Sequence, residues 1–214
     1  MQKDKHGDPS GKHSSKRHNR PHVIRLSLLC LFAAVPALVQ AQVPVFEITL
    51  QVSTIKFDVE ASIAIKGTFD KWDATLTFPS TDVTKGILEI KIQADSVDTG
   101  SGMKNGKLKS KNFFDVKQNP LITFKSTKIA QTGPETFEVD GDFTIRGVTK
   151  PEKLLLAVSG KGTGSGEIKG MMAFDRKDYG MNKGIPLVKI ANRVEVTVGL
   201  NVRRISGPPL DLKQ

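Results

Sequence analysis

Hydrophobic and polar residues alternate along most of the chain between positions 55 and 203. In the clearest run every second residue is aliphatic: Val194, Val196, Val198, Leu200 and Val202. A period of two residues is typical of a β-strand that buries one face and exposes the other. Seven earlier runs show the same alternation, within 55–65, 72–78, 88–94, 122–124, 137–145, 154–158 and 168–174. The pattern therefore predicts about eight antiparallel strands.

Short stretches rich in turn-forming residues separate these runs. They read FDK, PSTD, QTGPE, VTKPE and GKGTGSG. The one longer interruption, from Gly100 to Val116, predicts a short helical or loop element around 103–116. We predict an all-β fold and favour an eight-stranded barrel over a sandwich, because closure leaves no unpaired edge strand. A barrel of this size is either filled by side chains or holds one small ligand, and the alternation does not distinguish the two.

The first 41 residues differ in composition from the rest. Residues 1–25 carry seven Lys or Arg and two Asp, and an apolar run from Leu26 to Leu38 follows. A basic segment, a short apolar segment and a small residue at the end (Ala41) are typical of a secretory signal peptide. The apolar run is shorter than the ~20 residues that a membrane span needs. We expect that 1–41 is removed and that 42–214 forms a single periplasmic or secreted domain without a stable transmembrane span.

The chemistry available to residues 42–214 is limited. Every Cys and His of the chain lies in the leader: Cys30, His6, His13, His18 and His22. A disulfide, a Cys–His or Ser–His nucleophile pair and a His/Cys zinc site are therefore excluded. We expect no catalytic residue, no metal and no cofactor. Of the net charge of +10, half belongs to the leader, and the remainder shows no long basic run. This argues against a nucleic-acid partner.

Five segments carry a family resemblance. In chain order they read IAIKGTFDKWDATLTF, SVDTG, KLKSKNFFDVKQNPLITFKSTKI, VDGDFTIRGVTKP and AFDRKDYGMNKG. Together they resemble the signature segments of the YceI-like family of periplasmic proteins, over roughly Ser53 to Val202. The resemblance implies an extended, lipocalin-like antiparallel barrel. It also implies an elongated apolar cavity for a polyisoprenoid, such as a polyprenyl phosphate or an isoprenoid quinone, with no established enzymatic activity.

The chain departs from this family at one segment. Where the family tends to read Arg-Asp-x-His-Leu-Arg-Ser, this chain reads KNGKLKS from Lys104 to Ser110. Lys107 stands in the His position and Asn105 in the acidic position. A role that needs an imidazole or a carboxylate is lost there, while the positive charge is kept.

The candidate ligand-binding residues cluster around this segment. Adjacent Phe113 and Phe114 cannot both face one side of a strand, so we expect one to fill the core and the other to line the cavity mouth. Lys104, Lys107 and Lys109 suit an anionic head group, because an ammonium is a compact point charge for phosphate. The alternatives are that the lysines are only solvated and that both phenylalanines belong to the core.

A second group of candidates lies in the last third of the chain. Met172, with its neighbours Met171 and Met181, suits an adaptable lining for a flexible chain, although core filling is the commoner use. Phe174 and Tyr179 complete the predicted ligand-binding set, with Tyr179 as a polar group at the cavity or at the rim.

Two charged segments are assigned structural roles. We expect Asp175 and Asp178 to form a turn with a salt bridge to Arg176 rather than an acid/base pair. Arg146 is expected to face outward from a strand or turn.

The sequence thus predicts a non-enzymatic protein that binds, transports or sequesters an isoprenoid lipid. One alternative is an envelope interaction or inhibitory module that uses its outer surface. The other is a carboxylate-based enzyme acting on lipid or sugar. Whether the domain forms a homodimer is left open.

Overall fold

The structure, a computed structural model, describes residues 42–160, 162–184 and 187–213. The strands in these ranges are β1 (Val45–Ile48), β2 (Thr54–Ala61), β3 (Ile65–Phe69), β4 (Trp72–Thr77), β5 (Ile87–Gln93), β6 (Val97–Asp98), β7 (Leu121–Gln131), β8 (Thr136–Ile145), β9 (Val148–Val158), β10 (Ser165–Asp175) and β11 (Ile190–Ser206). The helix α1 spans Gly102–Lys109, and short 3-10 helices span Leu50–Val52, Val83–Lys85, Ala94–Ser96 and Arg176–Tyr179. No helix in the described ranges has the length and apolar character that crossing a membrane requires.

These segments form one antiparallel sheet that closes into an eight-stranded barrel. Three of the eight barrel strands are interrupted, and each consists of two consecutive shorter strands. These pairs are β1 with β2, β3 with β4, and β5 with β6. Closure occurs at β11, which pairs with β10 along one edge. Its other edge pairs with β2 through Ile190–Gly199 and with β1 through Val202–Ser206. The predicted all-β, lipocalin-like barrel is confirmed.

The structure corrects two details of the strand prediction. The run from 55 to 65 is two strands, because β2 ends at Ala61 and Ile63 lies in the following turn, 53 % exposed. The VTKPE segment is part of β9 rather than a turn. The turn is formed by Arg146 and Gly147, whose φ angles of 55° and 72° match the two-residue hairpin type that follows strand twist.

Pro151 is tolerated inside β9 for a structural reason. Strand β9 pairs with β10 only between Leu155 and Val158, so Pro151 has a neighbouring strand on one side only. A proline without a backbone N–H fits such an edge position, where no ladder hydrogen bond is lost.

The two ends of the barrel differ. At the distal end, turns 79–86 and 132–135 and the C-terminal residues 207–213 meet, and Asp211 N–H donates to the Thr81 carbonyl over 2.8 Å. Buried side chains fill this end: Phe78, Leu88, Ile129, Phe137, Val139, Ile168, Leu200 and Val202. The opposite end, here called the mouth, carries α1, the turn at 62–64, the Arg146–Gly147 turn and the segment that follows β10.

Leu154 and Leu155 test the inward and outward faces of β9. Leu154 is 1 % exposed and Leu155 is 54 % exposed. We expect Leu154→Ala to lower the free energy of unfolding by about 2–5 kcal/mol, because it leaves a cavity in the core. The neighbouring Leu155→Ala serves as the control and should stay within about 0.5 kcal/mol of the wild type. Urea denaturation measures both, and equal effects would contradict the assigned strand register.

Candidate ligand-binding site

A cavity of about 90 Å³ lies inside the mouth half of the barrel. Its wall is formed by inward-facing apolar side chains of several strands, among them Ile55, Phe57, Phe69, Ile122, Phe174 and Val194. These positions follow the period-two alternation, so the wall is a direct consequence of the strand pattern. Within the described ranges, no Asp or Glu lines this cavity.

The cavity is covered by a plug, which we define as α1 together with the turns at 110–116. Phe113 and Phe114 are 4 % and 8 % exposed, and both line the cavity. Their adjacent side chains converge because they lie in a turn, where Phe114 N–H donates to the Leu108 carbonyl over 2.9 Å and Asp115 has a φ of 50°. The Phe114 ring lies 6.0 Å from the ring of Phe69. The plug therefore closes the mouth with aromatic contacts.

The three candidate lysines of α1 do not share one location. Lys104 and Lys107 line the cavity together with Leu108, as residues three and four apart on one helix face do. The Lys104 Nζ donates to the carbonyl of Ala64 over 2.8 Å, which joins α1 to the turn at 62–64. Lys109 does not line the cavity and lies on the side of α1 near Asp98.

Asn105, the residue in the acidic position of the family pattern, anchors the start of α1. Its Nδ2 donates to Asp98 Oδ1 over 3.0 Å, and its Oδ1 accepts from the N–H of Thr99 over 2.9 Å. The bond from Asn105, with a second from the N–H of Gly100, lowers the pKa of Asp98 below its usual value. Asn105 thus has a structural role at this position.

Arg176 is a cavity residue that the sequence analysis placed elsewhere. Its side chain is buried, and its guanidinium donates to the carbonyls of Ala191 over 3.0 Å, Lys183 over 3.2 Å and Met181. The predicted salt bridge of Arg176 with Asp175 or Asp178 is wrong for the part of the chain that is described. The reason is that Arg176 continues the inward alternation of Met172 and Phe174.

The two carboxylates of this segment have separate partners. Asp175 accepts the N–H of Lys177 over 2.8 Å, and Asp178 lies 3.4 Å from Lys150 Nζ. They form a turn, as predicted, and do not converge as an acid/base pair.

Arg146 fastens the plug to the barrel. It lies in the β8–β9 turn, where its Nη1 donates to the Gly180 carbonyl and its Nη2 to the Lys111 carbonyl, each over 3.0 Å. The buried Nε has no partner among the described residues. The expected turn position is correct, but the side chain bridges two segments of the mouth instead of facing outward.

Tyr179 closes the gap where β9 and β10 separate. Its side chain is fully buried, with ring centroids 5.5 Å from Phe143 and 5.2 Å from Phe174. Its hydroxyl donates to Glu152 Oε1 over 2.8 Å. Burial, together with this hydrogen bond, raises the pKa of Tyr179 far above its usual value. Tyr179 does not line the cavity but packs behind Phe174, which does.

A second, inner cavity of about 20 Å³ lies deeper in the barrel. Met172 lines it, along with Phe124, Leu154 and Val198. Four residues line both cavities and so form the partition between them: Ile55, Ile92, Phe143 and Val196. Beyond the inner cavity the interior is filled by the buried side chains of the distal end.

The described residues place no metal or carboxylate site in either cavity. No cluster of three or more His, Cys, Asp or Glu with metal-binding geometry occurs among residues 42–160, 162–184 and 187–213. The lining of the inner cavity, like that of the outer one, contains no carboxylate from these ranges.

A closed antiparallel barrel with an apolar cavity under a helical plug defines a lipocalin-like protein. The family model described as the YceI-like domain matches residues 46–202. The chain therefore belongs to the YceI-like family, as its sequence segments indicated.

Curated relatives of the chain are bacterial proteins called UPF0312 proteins. That of Pseudomonas savastanoi pv. phaseolicola is 34% identical over 98 residues, which is 46% of this chain and 51% of the relative. That of Azotobacter vinelandii is 27% identical over 124 residues, which is 56% of this chain and 65% of the relative. In these matches the chain spans about half to two thirds of the length of the relatives.

Two solved structures are similar in fold. BcnA of Burkholderia cenocepacia is 24% identical with a TM-score of 0.66, covering 72% of this chain and 99% of that protein. A polyisoprenoid binding domain from Saccharophagus degradans, implicated in plant cell wall breakdown, is 17% identical with a TM-score of 0.61. That match covers 75% of this chain and 99% of the domain. At these identities the likeness establishes the barrel fold.

Alkaline titration tests the environment of Tyr179. Because its folded-state pKa lies above the unfolded value of about 10, the folded protein keeps a proton that the unfolded chain releases. The neutral, hydrogen-bonded hydroxyl of Tyr179 therefore stabilises the folded protein. This stabilisation is complete below a pH of about 10 and is lost as the pH rises above it. Tyr179 is the single tyrosine of the chain, so phenolate absorbance reports it alone.

We expect no phenolate signal from the folded protein until it unfolds in alkali, and a normal titration in urea. Tyr179→Phe is the control and should show no phenolate signal at all. A folded protein that titrates near pH 10 would contradict the buried hydrogen bond to Glu152.

Proposed function

We propose that the protein binds an isoprenoid lipid in the barrel without catalysing a reaction, and that it carries or sequesters this lipid outside the cytoplasm. The observation that carries the proposal is the apolar cavity beneath the plug. The fold supports it, because the similar domain of Saccharophagus degradans is described as polyisoprenoid binding. The leader-like composition of 1–41 supports a periplasmic or secreted location.

The size of the cavity defines how such a ligand enters. Pockets for small molecules commonly measure about 300–1,000 Å³, well above the 90 Å³ of the outer cavity. A prenyl chain therefore needs the plug residues Leu108, Phe113 and Phe114 to move outward. Rotation of the partition residue Phe143 would then join the outer and inner cavities into one elongated space.

The mouth favours a negatively charged head group. Lys104 and Lys107 line the cavity at the plug, and no carboxylate from the described ranges lies beside them in the lining. Ammonium groups form strong, charge-assisted hydrogen bonds with phosphate oxygens. We accordingly propose a polyprenyl phosphate in preference to an uncharged isoprenoid quinone.

A protein-binding outer surface is the second candidate. Leu155 and Met171 are paired across β9 and β10 and are 54 % and 59 % exposed. Adjacent exposed apolar residues mark interaction surfaces when they form a patch. The barrel interior does not favour a carboxylate-based enzyme, because Asp and Glu are missing from the described lining of both interior cavities. Two carboxylates, Asp70 and Asp73, line a separate surface pocket together with Lys71 and Lys91.

The proposal is tested first by mass spectrometry of an organic extract of the protein purified from its own host. A stoichiometric isoprenoid is the expected result and identifies the ligand. A folded protein that yields no lipid, and that binds no added prenyl phosphate, contradicts the proposal and favours the outer-surface alternative.

Filling the cavity should weaken ligand binding. Val196 lines both cavities, whereas its neighbour Thr197 is exposed on the outer face of β11. We expect Val196→Phe to weaken the affinity for farnesyl phosphate about tenfold or more, at a stability cost of about 1–3 kcal/mol. Thr197→Phe adds the same side chain outside the barrel and should bind as the wild type does. Calorimetry measures affinity, and thermal unfolding shows that both variants are folded.

The filled distal end predicts a limit on chain length. In the wild type, affinity should rise from geranyl to farnesyl phosphate and then level off, because each buried CH₂ contributes about 0.8 kcal/mol only while there is space for it. Met172→Ala enlarges the inner cavity and should shift the limit to geranylgeranyl phosphate. Met171→Ala, on the outer face, is the control and should leave the limit unchanged. The same limit on prenyl length in both variants would show that the prenyl chain does not reach the inner cavity.

A further inference from the structure

Exposed apolar side chains lie beside the mouth. Met103 at the start of α1 is 87 % exposed, and Ile63 in the turn between β2 and β3 is 53 % exposed. Met103 immediately precedes Lys104, and Ile63 immediately precedes Ala64. The Lys104 Nζ donates a hydrogen bond to the Ala64 carbonyl over 2.8 Å. This bond joins the two segments that carry the apolar residues.

A third mouth segment is attached to the same turn. Ser62 N–H donates to the Lys189 carbonyl over 3.0 Å, and Lys189 N–H donates to Ser62 Oγ over 3.2 Å. Leu187, two residues before Lys189, is fully exposed. The apolar residues at the mouth thus come from three different segments.

The three segments that carry these residues contain charges of one sign. Positions 62–66, 101–112 and 180–189 contain no Asp or Glu and carry seven lysines: Lys66, Lys104, Lys107, Lys109, Lys111, Lys183 and Lys189. Among the described residues, only Lys66 of these seven forms an ion pair, with Asp58 over 3.2 Å.

The barrel wall differs from the mouth in this respect. Several of its basic residues are paired across strands, as Lys125 is with Glu89 and Arg203 with Glu47, each over 2.8 Å. Six of the seven lysines in the three mouth segments thus lack an ion-pair partner among the described residues, and the acidic residues that border these segments include Glu60, Asp98, Asp115 and Asp178.

We propose that the mouth docks onto an anionic lipid bilayer. Met103 and Ile63 enter the boundary between head groups and acyl chains, and the surrounding lysines contact anionic head groups. Exposed apolar residues with lysines around them are the features by which proteins bind such surfaces reversibly. Docking in this orientation places the plug against the bilayer, so that a lipid passes between membrane and cavity without crossing water. The inference rests on the proposed function, because it takes the bilayer as the source or destination of the ligand.

Vesicle flotation tests the docking surface. The protein is purified from its own host, and all variants share its N-terminus, so that differences report the mouth alone. Wild type should float with vesicles of phosphatidylglycerol and phosphatidylcholine in equal parts. It should not float with pure phosphatidylcholine, and it should dissociate at high salt, because screening weakens attraction between exposed charges.

Substitutions at the mouth and on the barrel wall distinguish which surface binds the vesicles. The double variant Met103→Ser with Ile63→Ser should reduce flotation about fivefold or more, since it removes the inserted apolar groups. Leu155→Ser with Met171→Ser removes similar exposed apolar groups from the wall and should float as the wild type does. Lys111→Gln with Lys183→Gln should also reduce flotation, whereas Lys128→Gln on β7 should not.

Binding of farnesyl phosphate in solution separates this inference from the proposed function. The Met103/Ile63 double variant should bind it as the wild type does, but should take it up more slowly from anionic vesicles. If the wild type binds no prenyl phosphate in solution, the proposed function fails. If it binds the ligand but ignores anionic vesicles, or if the mouth and wall variants float equally, the docking surface is wrong. Capture of an acidic protein by the mouth, without vesicle binding, would likewise overturn it.

Discussion

The hydrogen-bond ladder along β11 is the constraint on which the rest of the structure depends. This seventeen-residue strand pairs along both edges, and without its contacts to β1 and β2 the sheet would be open and enclose no space. The break between β1 and β2 is bridged by the buried Ser53, whose Oγ donates to the Thr49 carbonyl over 2.7 Å and accepts the N–H of Asn201 over 2.9 Å. This buried hydroxyl thus links the two short strands to their common partner where the ladder is interrupted.

Closure alone does not produce a binding site, because an eight-stranded barrel can be filled completely. Here the distal end is filled mainly by strand residues, while the mouth half is closed by a plug from outside the sheet. Phe113 and Phe114 occupy space that no strand residue fills, and Arg146 ties their segment to the β8–β9 turn. A cover that is held by a few side-chain contacts can move without breaking the ladder, which is what a ligand-binding barrel requires.

Much of the fold was predictable from alternation, because burial of one strand face imposes a period of two residues. Two positions were predicted incorrectly. Ile63 follows the alternation of β2 but lies in the turn after it. Pro151 is of a residue type common in turns, but it lies in β9 and pairs with β8 on one side only. Arg176 was missed as a cavity residue although its parity with Met172 and Phe174 pointed inward. Its charge favoured a prediction of surface exposure. In the fold, hydrogen bonds to the carbonyls of Met181, Lys183 and Ala191 offset the cost of burying that charge.

The sequence by itself determined the class of the protein: an all-β barrel of the YceI-like family with apolar residues directed inward and no thiol or imidazole in residues 42–214. Those properties follow from local periodicity and composition. Only the tertiary structure decided where the cavity lies, how far it extends, that Lys104 and Lys107 line it while Lys109 does not, and that Tyr179 packs behind its wall. These depend on contacts between residues distant in the chain, such as Tyr179 with Glu152 and Lys104 with Ala64, which no local pattern encodes.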